Sequence, residues 1–161
     1  MTNNKKGFTL IELLVVIAII GLLSTLAVVA LNSARQKSRD SKRVADIKQI
    51  QTALELYFAD AQAYPVGTNL VLGGASANKL CATTGLNNTC TGTTYMGLVP
   101  KAPTPADGAA CNGTNNDYFY TVVSGNSDYG LTFCTGTAVG ELTVGRQCAT
   151  SAGVSTKATC P

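Results

Sequence analysis

Two sets of side chains in this sequence have the types needed for chemistry. The first is a single carboxylate, Glu12, which is the only charged residue between Phe8 and Leu31. The second is a set of six cysteines, all of which follow that apolar segment: Cys81, Cys90, Cys111, Cys134, Cys148 and Cys160. A carboxylate can pair with a cation, whereas thiols can form disulfides, bind a metal or act as nucleophiles. The residues around each set indicate which use applies.

The cysteines have the pattern of structural disulfides. No two are spaced as C-x-x-C and the chain has no histidine, so neither zinc binding nor a thioredoxin-like redox motif is favoured. Their even number, in a region rich in Gly, Thr and Asn, predicts three disulfides in an oxidising compartment. Six cysteines allow 15 pairings, and the sequence leaves them open. We take nearest-neighbour pairing as the expectation: Cys81–Cys90, Cys111–Cys134 and Cys148–Cys160.

Nothing in the sequence supports catalysis. Without histidine, neither a Ser-His nor a Cys-His pair can form, and the acidic residues after the apolar segment are scattered singly. There is no Gly-rich phosphate-binding motif followed by lysine. We therefore expect a protein that is not an enzyme and that carries no cofactor.

The stretch from Asp107 to Asp117 holds several potential oxygen ligands in a Gly-rich loop. Its spacing does not fit an EF-hand, and turns rich in Asn, Asp and Gly are common without metal. We expect no metal site, and the only calcium candidates are Asp107, Asn112 and Asp117.

The element that carries Glu12 has the length and composition of a membrane span. Leu13 to Leu31 contains no charge, and a helix of this length covers about 28 Å, close to the hydrocarbon thickness of a bilayer. The run is longer than the apolar region of a cleaved secretory signal. The basic residues between Arg35 and Arg43 alone would place that flank in the cytoplasm. The cysteines favour the opposite orientation, with only residues 1–7 inside.

The apolar run continues into an amphipathic pattern. Apolar residues recur at three-or-four spacing between Val44 and Phe58, which predicts a helix with one buried stripe. We expect one helix from about Phe8 to about Asp60, ended by Pro65, with the charged residues from Arg35 to Lys48 on a solvated face. Contact of this face with anionic lipid headgroups or DNA is the alternative. Because the distal part of the chain is nearly neutral, no clear nucleic-acid site is expected.

The distal part of the chain reads as β-rich. Tyr118–Ser124 and Tyr129–Cys134 are two β-forming runs joined by a short polar turn, which predicts a hairpin. A third strand is expected at Gly140–Val144, whereas Val66–Lys101 reads as a loop region with little regular structure. A small antiparallel sheet needs cover for its apolar face, and the helical stripe can provide it. The expected fold class is α+β.

The sequence Gly7-Phe8-Thr9-Leu10-Ile11-Glu12, at the head of an apolar run, resembles the signature of type IV prepilins. The resemblance covers the leader, the long helix and its passage into Tyr64–Pro65. It implies a long N-terminal helix whose C-terminal half packs on a small antiparallel sheet. The domains it implies are a leader at 1–7, an apolar helix half at 8–31, an amphipathic helix half at 32–63 and a disulfide-linked extracellular domain at 64–161.

The resemblance also implies roles for particular residues. A prepilin peptidase would cut between Gly7 and Phe8 and then N-methylate Phe8, while Lys5 and Lys6 would hold the leader in the cytoplasm. Glu12 would pair with the α-amine of Phe8 on a neighbouring subunit. One departure is that Leu22–Leu31 lacks the helix-breaking proline found in many such proteins. Calcium in the loop that matches Asp107–Asp117 is a feature of the major pseudopilins.

These implications predict a structural subunit of a type IV pilus-like extracellular filament. It would be held in the cytoplasmic membrane before assembly, and its partners would be other copies of itself, the prepilin peptidase and the assembly machinery. The alternatives are a major pseudopilin of a type II secretion system and a monomeric, membrane-anchored adhesion module. The Gly7–Phe8 sequence distinguishes the last of these, because a simple anchor needs no cleavage there.

Overall fold

The computed structural model of the protein describes residues 7–156 and Cys160. The chain divides into two compact units, Met1–Arg35 and Gln36–Pro161, which are described separately. Below, they are called the apolar unit and the globular unit. The leader residues Lys5 and Lys6 lie outside the described residues, so their expected role is not addressed by the structure.

One long helix, α1 (Leu10–Ala61), accounts for all of the regular structure before residue 70, as the sequence predicts. The helix ends at Ala61 because Gln62 adopts a left-handed conformation with φ of 55°, and its amide donates to the carbonyl of Phe58 at 2.8 Å. It therefore stops before the Tyr64–Pro65 step, where proline would have ended it. Within the globular unit, the apolar buried side chains of α1 form one stripe: Ile47, Ile50, Ala53 and Leu54.

Eight short strands follow: β1 (Leu70–Val71), β2 (Lys79–Cys81), β3 (Gly85–Asn87), β4 (Thr94–Met96), β5 (Phe119–Val122), β6 (Tyr129–Thr135), β7 (Gly145–Thr150) and β8 (Gly153–Ser155). They form a five-stranded sheet in the order β1-β5-β6-β7-β8 and a three-stranded sheet in the order β3-β2-β4. All pairs are antiparallel. The α+β class expected from the sequence is confirmed.

The predicted hairpin is present as β5 and β6, with Phe119 opposite Thr132 and Val122 opposite Tyr129. The predicted third strand is wrong. Residues 140–144 form no strand, and the only pairing there is an isolated bridge between Val139 and Leu142. The strand that joins β6 is β7, which follows directly. Its buried polar side chain, Gln147, hid it from a search for β-branched runs.

The expectation of a loop with little regular structure at 66–101 is also wrong in part. That region contains β1, which extends the larger sheet, and the whole of the three-stranded sheet. Its strands have only two or three residues each, too few to show a periodicity of two. Long-range pairing, rather than local preference, makes them strands.

The core of the globular unit forms where the five-stranded sheet and its approach meet the helical stripe. Tyr118, Tyr120, Tyr129, Leu131 and Phe133 are fully buried in one cluster with that stripe. The buried hydroxyls have acceptors, because Tyr118 donates to Asp46 at 3.1 Å and Tyr120 to the carbonyl of Pro65 at 2.6 Å. Burial is the main reason that the pKa of both tyrosines is raised.

Three disulfides link the globular unit. They join Cys81 to Cys90, Cys111 to Cys134 and Cys148 to Cys160, with Cα–Cα separations of 5.6, 5.6 and 5.3 Å. These are the nearest-neighbour pairs expected from the order of the chain. Each ties a strand to a segment that follows or precedes it by a short loop: β2, β6 and β7 each supply one cysteine.

A fully buried arginine is the least expected feature of the globular unit. The guanidinium of Arg43 donates from Nη1 to Asp40 Oδ1 at 2.7 Å and to Asp107 Oδ2 at 2.8 Å. Its Nη2 donates to Asn116 Oδ1 at 2.7 Å and to the carbonyl of Pro103 at 3.2 Å. Two carboxylates and two neutral acceptors thus surround one buried charge, as a buried cation requires.

The same cluster extends to both sides of Arg43. Asp107 is also the partner of Arg39, whose Nε donates to Oδ2 at 2.8 Å. Asp40 accepts from the amides of Gly136 and Thr137 at 3.1 and 2.7 Å. Arg39, Asp40, Arg43 and Asp107 are called the ion cluster below. The expectation of a solvated charged face from Arg35 to Lys48 is therefore wrong for Arg39, Asp40 and Arg43, because Asp107 and the chain around residue 136 cover them.

The two arginines also set the ionisation of Asp107. Burial alone would raise the pKa of this carboxyl, but the hydrogen bonds and charges of Arg39 and Arg43 outweigh burial and hold the pKa below its ordinary value. Asp107 is therefore a carboxylate that the fold needs in its ionised form.

We expect the disulfides to contribute unequally to stability. By loop-closure entropy, removing Cys111–Cys134 costs about 3.5 kcal/mol and removing Cys81–Cys90 about 2.7 kcal/mol. The sequence separations of 23 and 9 residues account for this difference. The test compares C111A/C134A with C81A/C90A by denaturant unfolding of the full chain in nonionic detergent, followed by near-ultraviolet circular dichroism. A larger loss for C81A/C90A would contradict the ranking.

Asp107→Asn should destabilise the globular unit by about 3 kcal/mol, because it leaves buried cations with one carboxylate fewer. The matched control is Asp117→Asn, which alters a half-exposed acid outside the ion cluster and should change the free energy of unfolding by less than about 0.5 kcal/mol. Equal effects of the two substitutions would show that the ion cluster does not depend on the Asp107 charge.

The penalty of Asp107→Asn should depend on pH. A carboxyl whose pKa is lowered by folding stabilises the protein fully above its unfolded pKa of about 3.9, and this contribution is lost as the pH falls through the lower, folded pKa. The gap in unfolding free energy between the wild type and Asp107→Asn should stay constant from about pH 7 to pH 5 and close below about pH 4. A gap that closed already between pH 7 and 5 would mean that folding raises this pKa.

Candidate functional site

The start of α1 is organised by Thr9 and Glu12. Glu12 Oε2 accepts hydrogen bonds from the Thr9 amide at 2.8 Å and from the Thr9 hydroxyl at 2.7 Å. In return, the Glu12 amide donates to Thr9 Oγ1 at 3.3 Å. This is a capping box, which satisfies amides that the first turn of a helix leaves without partners. The carboxylate of Glu12 thus begins the helix as well as carrying its charge.

The helix that follows this cap presents apolar side chains on every side. Every residue from Gly7 to Arg35 is exposed, including Phe8 at 75%. The hydroxyls of Ser24 and Thr25 donate to the carbonyls of Ile20 and Leu22 at 2.7 and 2.8 Å, so they offer no free donor to the surface. Among the described residues, α1 is the one helix long and apolar enough to cross a membrane. An apolar surface of this extent requires lipid or other protein around it.

Glu12 is the only charge on this surface. In the described part of the chain, the ion pairs are Arg39–Asp107, Arg43–Asp40 and Arg43–Asp107, and none involves Glu12. The carboxylate lines a shallow groove on the helix together with Phe8, Ile11, Val15 and Val16. A carboxylate with two neutral donors and no cation can still accept an ion pair from outside the chain.

The peptide bond between Gly7 and Phe8 is placed where an enzyme can reach it. Gly7, Phe8 and Thr9 precede the helix, have no regular structure and are exposed. A protease acts on an accessible, locally unstructured segment, and helical backbone would have to unwind first. The structure thus brings Phe8 and Glu12 together at one end of the apolar unit and leaves the six cysteines in the globular unit.

The calcium candidates are not held as a metal site. Both carboxylate oxygens of Asp107 accept hydrogen bonds from arginine, so positive charge already occupies the position that a cation would take. The expectation that Asp107 is a calcium candidate is wrong for this reason. Asn112 is exposed and Asp117 half-exposed. In the part of the chain that the structure describes, no group of three metal-binding side chains comes together.

Sequence reasoning missed two sets of functional or positioning residues. Thr9 could have been found, because Thr9-Leu10-Ile11-Glu12 is a T-x-x-E capping-box pattern at the start of an apolar run. The ion cluster could not have been found in this way, because Arg43 and Asp107 lie 64 residues apart and no local pattern links them.

Comparisons with known proteins agree with this geometry. The family described as "Prokaryotic N-terminal methylation motif" matches residues 2–28, which include Gly7, Phe8, Thr9 and Glu12. No solved structure matches the chain at a significant level.

Curated relatives fall into two groups. The type II secretion system core protein G of Escherichia coli (strain K12) is 42% identical over 64 residues, which are 40% of this chain and 44% of the relative. The corresponding protein of Dickeya chrysanthemi is 38% identical over 65 residues, 40% of this chain and 42% of the relative. The chain thus spans less than half the length of these secretion relatives.

The second group extends further along the chain. The type IV major fimbrial protein FimA of Dichelobacter nodosus is 32% identical over 109 residues, which are 66% of this chain and 68% of the relative. An alignment of this extent continues beyond the apolar segment and α1 into the strand-rich part of the chain. Together with the methylation motif and the long capped helix, it shows that the chain belongs to the type IV pilin superfamily.

Proposed function

We propose that this chain is a structural subunit of a type IV pilus-like extracellular filament, polymerised through its apolar N-terminal helix. The observation that carries the proposal is the lone Glu12 carboxylate on an apolar helix that is exposed on every side. A surface of this kind needs a membrane before assembly and neighbouring subunits after it.

Processing after Gly7 would supply the missing cation. Hydrolysis of the Gly7–Phe8 peptide bond leaves a carboxyl on Gly7 and a free α-amine on Phe8, and that amine then accepts a methyl group. The exposed, non-helical position of Gly7 and Phe8 supports cleavage by a prepilin peptidase. The new positive charge lies one helical turn from Glu12, yet within one subunit the Thr9 cap already engages this carboxylate.

Pairing between subunits follows from the cost of burial. A charged group inside lipid or a dry filament core is expensive, and the cost falls when an opposite charge pairs with it. We assign this partner to the Phe8 amine of a neighbouring copy, so that each interface buries one such pair. The pair is also the only polar marker that can fix the register of otherwise uniform apolar helices.

A pilus subunit is favoured over a secretion pseudopilin by the extent of the similarity. The alignment with FimA covers 66% of this chain, whereas the alignments with the secretion proteins cover about 40%. The three disulfides of the globular unit also suit a fibre exposed outside the cell. The alternative, a major pseudopilin, is supported by the higher identity of its shorter alignment, 42%.

The partners and location follow from the same proposal. Before assembly the subunit is held in the cytoplasmic membrane with its leader (residues 1–7) inside and its globular domain (64–161) outside. Residues 8–31 form the membrane and filament-core segment, and residues 32–63 form the amphipathic part of the helix. After processing, the assembly machinery in the membrane adds copies of the chain to one another.

Glu12→Leu should leave membrane insertion intact and abolish or greatly reduce filament assembly. Removing the charge lowers the cost of insertion, but the Phe8 amine then enters the filament core without a partner, at a cost of about 3–5 kcal/mol. Processed subunit should accumulate in the membrane. The measurements are counts of surface fibres by electron microscopy and the intact mass of the membrane-bound chain, which should begin with methylated Phe8.

Glu12→Gln is the matched control for the cap. Its side-chain oxygen can still accept from Thr9, so the helix start is preserved while the charge is lost. We expect it to fail in assembly as Glu12→Leu does, whereas Glu12→Asp should be milder. Normal fibres from Glu12→Gln would show that the cap matters and the ion pair does not. A wild-type chain that retains residues 1–7 would overturn the processing step.

A further inference from the structure

The exposed side of α1 in the globular unit is exclusively basic. Between Gln36 and Ala53, both acidic residues are buried: Asp40 is 0% and Asp46 is 6% exposed. The fully exposed ionised side chains on this stretch are Lys37, Lys42 and Lys48, and none forms an ion pair with a described residue. These three lysines are called the lysine face. The fold thus separates the charges of a mixed sequence, with the acids inside and the lysines outside.

The residues between the lysines allow a close approach to this face. Ser38, Ser41 and Ala45 are exposed and small, so no bulky side chain keeps a charged surface away from the ammonium groups. Arg35, the residue that precedes this stretch in the chain, is exposed as well. Glu141 lines the same cleft as Lys48 and offsets the charge at that end. The positive charge is therefore concentrated towards Lys37 and Lys42.

We infer that the lysine face binds the anionic headgroups of phospholipids in the membrane that holds the unassembled subunit. Lys37 follows Leu31, the last residue of the apolar segment, by six residues, so the chain holds its Cα within about 20 Å of that residue in any conformation. A tether of this length keeps the face at a high effective concentration near the headgroups. Exposed lysines beside an anionic membrane surface are attracted within about one Debye length, near 10 Å.

An acidic surface on a second copy is the competing occupant, and the described residues do not favour it. The exposed acids of the globular unit are Glu55, Asp60 and Glu141. Glu55 accepts hydrogen bonds from Tyr64 and Tyr129, and Asp60 accepts one from Tyr95. Three separate acids, two of them already engaged, do not match a row of three lysines. Phosphate groups of a lipid surface, which are laterally mobile, need no such match.

The inference rests on the membrane-held state in the proposed function but not on filament assembly. It assigns the exposed helix face a role before polymerisation: it draws anionic lipid around the subunit and holds the globular unit close to the bilayer surface. Because lipid phosphates are released when the subunit leaves the membrane, the interaction does not oppose extraction as a buried contact would.

The test uses the full chain in vesicles made of equal parts phosphatidylglycerol and phosphatidylcholine. After mild detergent extraction, native mass spectrometry gives the ratio of the two lipids that remain bound. We expect the anionic lipid to be enriched by about threefold or more over its bulk share at low salt. The enrichment should fall to nearly none in K37Q/K42Q/K48Q and in about 0.5 M salt.

The matched control is K79Q/K101Q/R146Q, which removes the same charge from the globular unit outside α1 and should keep the enrichment. Resistance of each variant to alkaline extraction reports membrane insertion separately, so a chain that fails to insert counts against the membrane-held state and not against the lysine face alone. Enrichment that is absent in the wild type, or unchanged in K37Q/K42Q/K48Q, overturns the inference. So does an unchanged lipid ratio combined with lost polymerisation, which would assign the face to a second copy, or with salt-sensitive binding of duplex DNA.

Discussion

The globular unit depends on the burial of one positive charge. Arg43 is fully buried, and an unpaired guanidinium in that position would cost more than the net stability of most small domains can bear. Asp40 and Asp107 therefore have to be in place, and through them the loops around residues 103–107 and 136–137. A cluster of this kind adds less to net stability than its hydrogen bonds suggest. Its effect is to allow only one arrangement of these loops against α1.

The two parts of α1 meet different surroundings with one continuous backbone pattern. In the apolar unit, every side chain is exposed and only Glu12 is charged. In the globular unit, one stripe is buried against tyrosines and another faces outward with lysines. Helical backbone satisfies its own hydrogen bonds, so it tolerates lipid, protein and water in turn, and the side chains alone decide which surroundings each part needs.

The candidate site joins a structural role to a chemical one in a single side chain. Glu12 accepts two hydrogen bonds from Thr9 and thereby starts the helix, yet it remains the only charge on an apolar surface. The cap lowers the cost of keeping a carboxylate in that position and holds it beside Phe8, where cleavage would create an amine. A residue that must be satisfied alone and paired in an assembly needs this kind of exchangeable neutral partner.

Local signals in the sequence were sufficient for the long helix, the β5–β6 hairpin, the order of the disulfides and the position of Glu12, because each depends on residues close together in the chain. They were not sufficient for β7, whose buried Gln147 breaks the apolar pattern, or for the short strands between residues 70 and 96. The charged stretch after residue 35 shows the limit most clearly. The sequence determined that it is charged, but only the tertiary structure decided which charges are buried, because the partner of Arg43 lies 64 residues away.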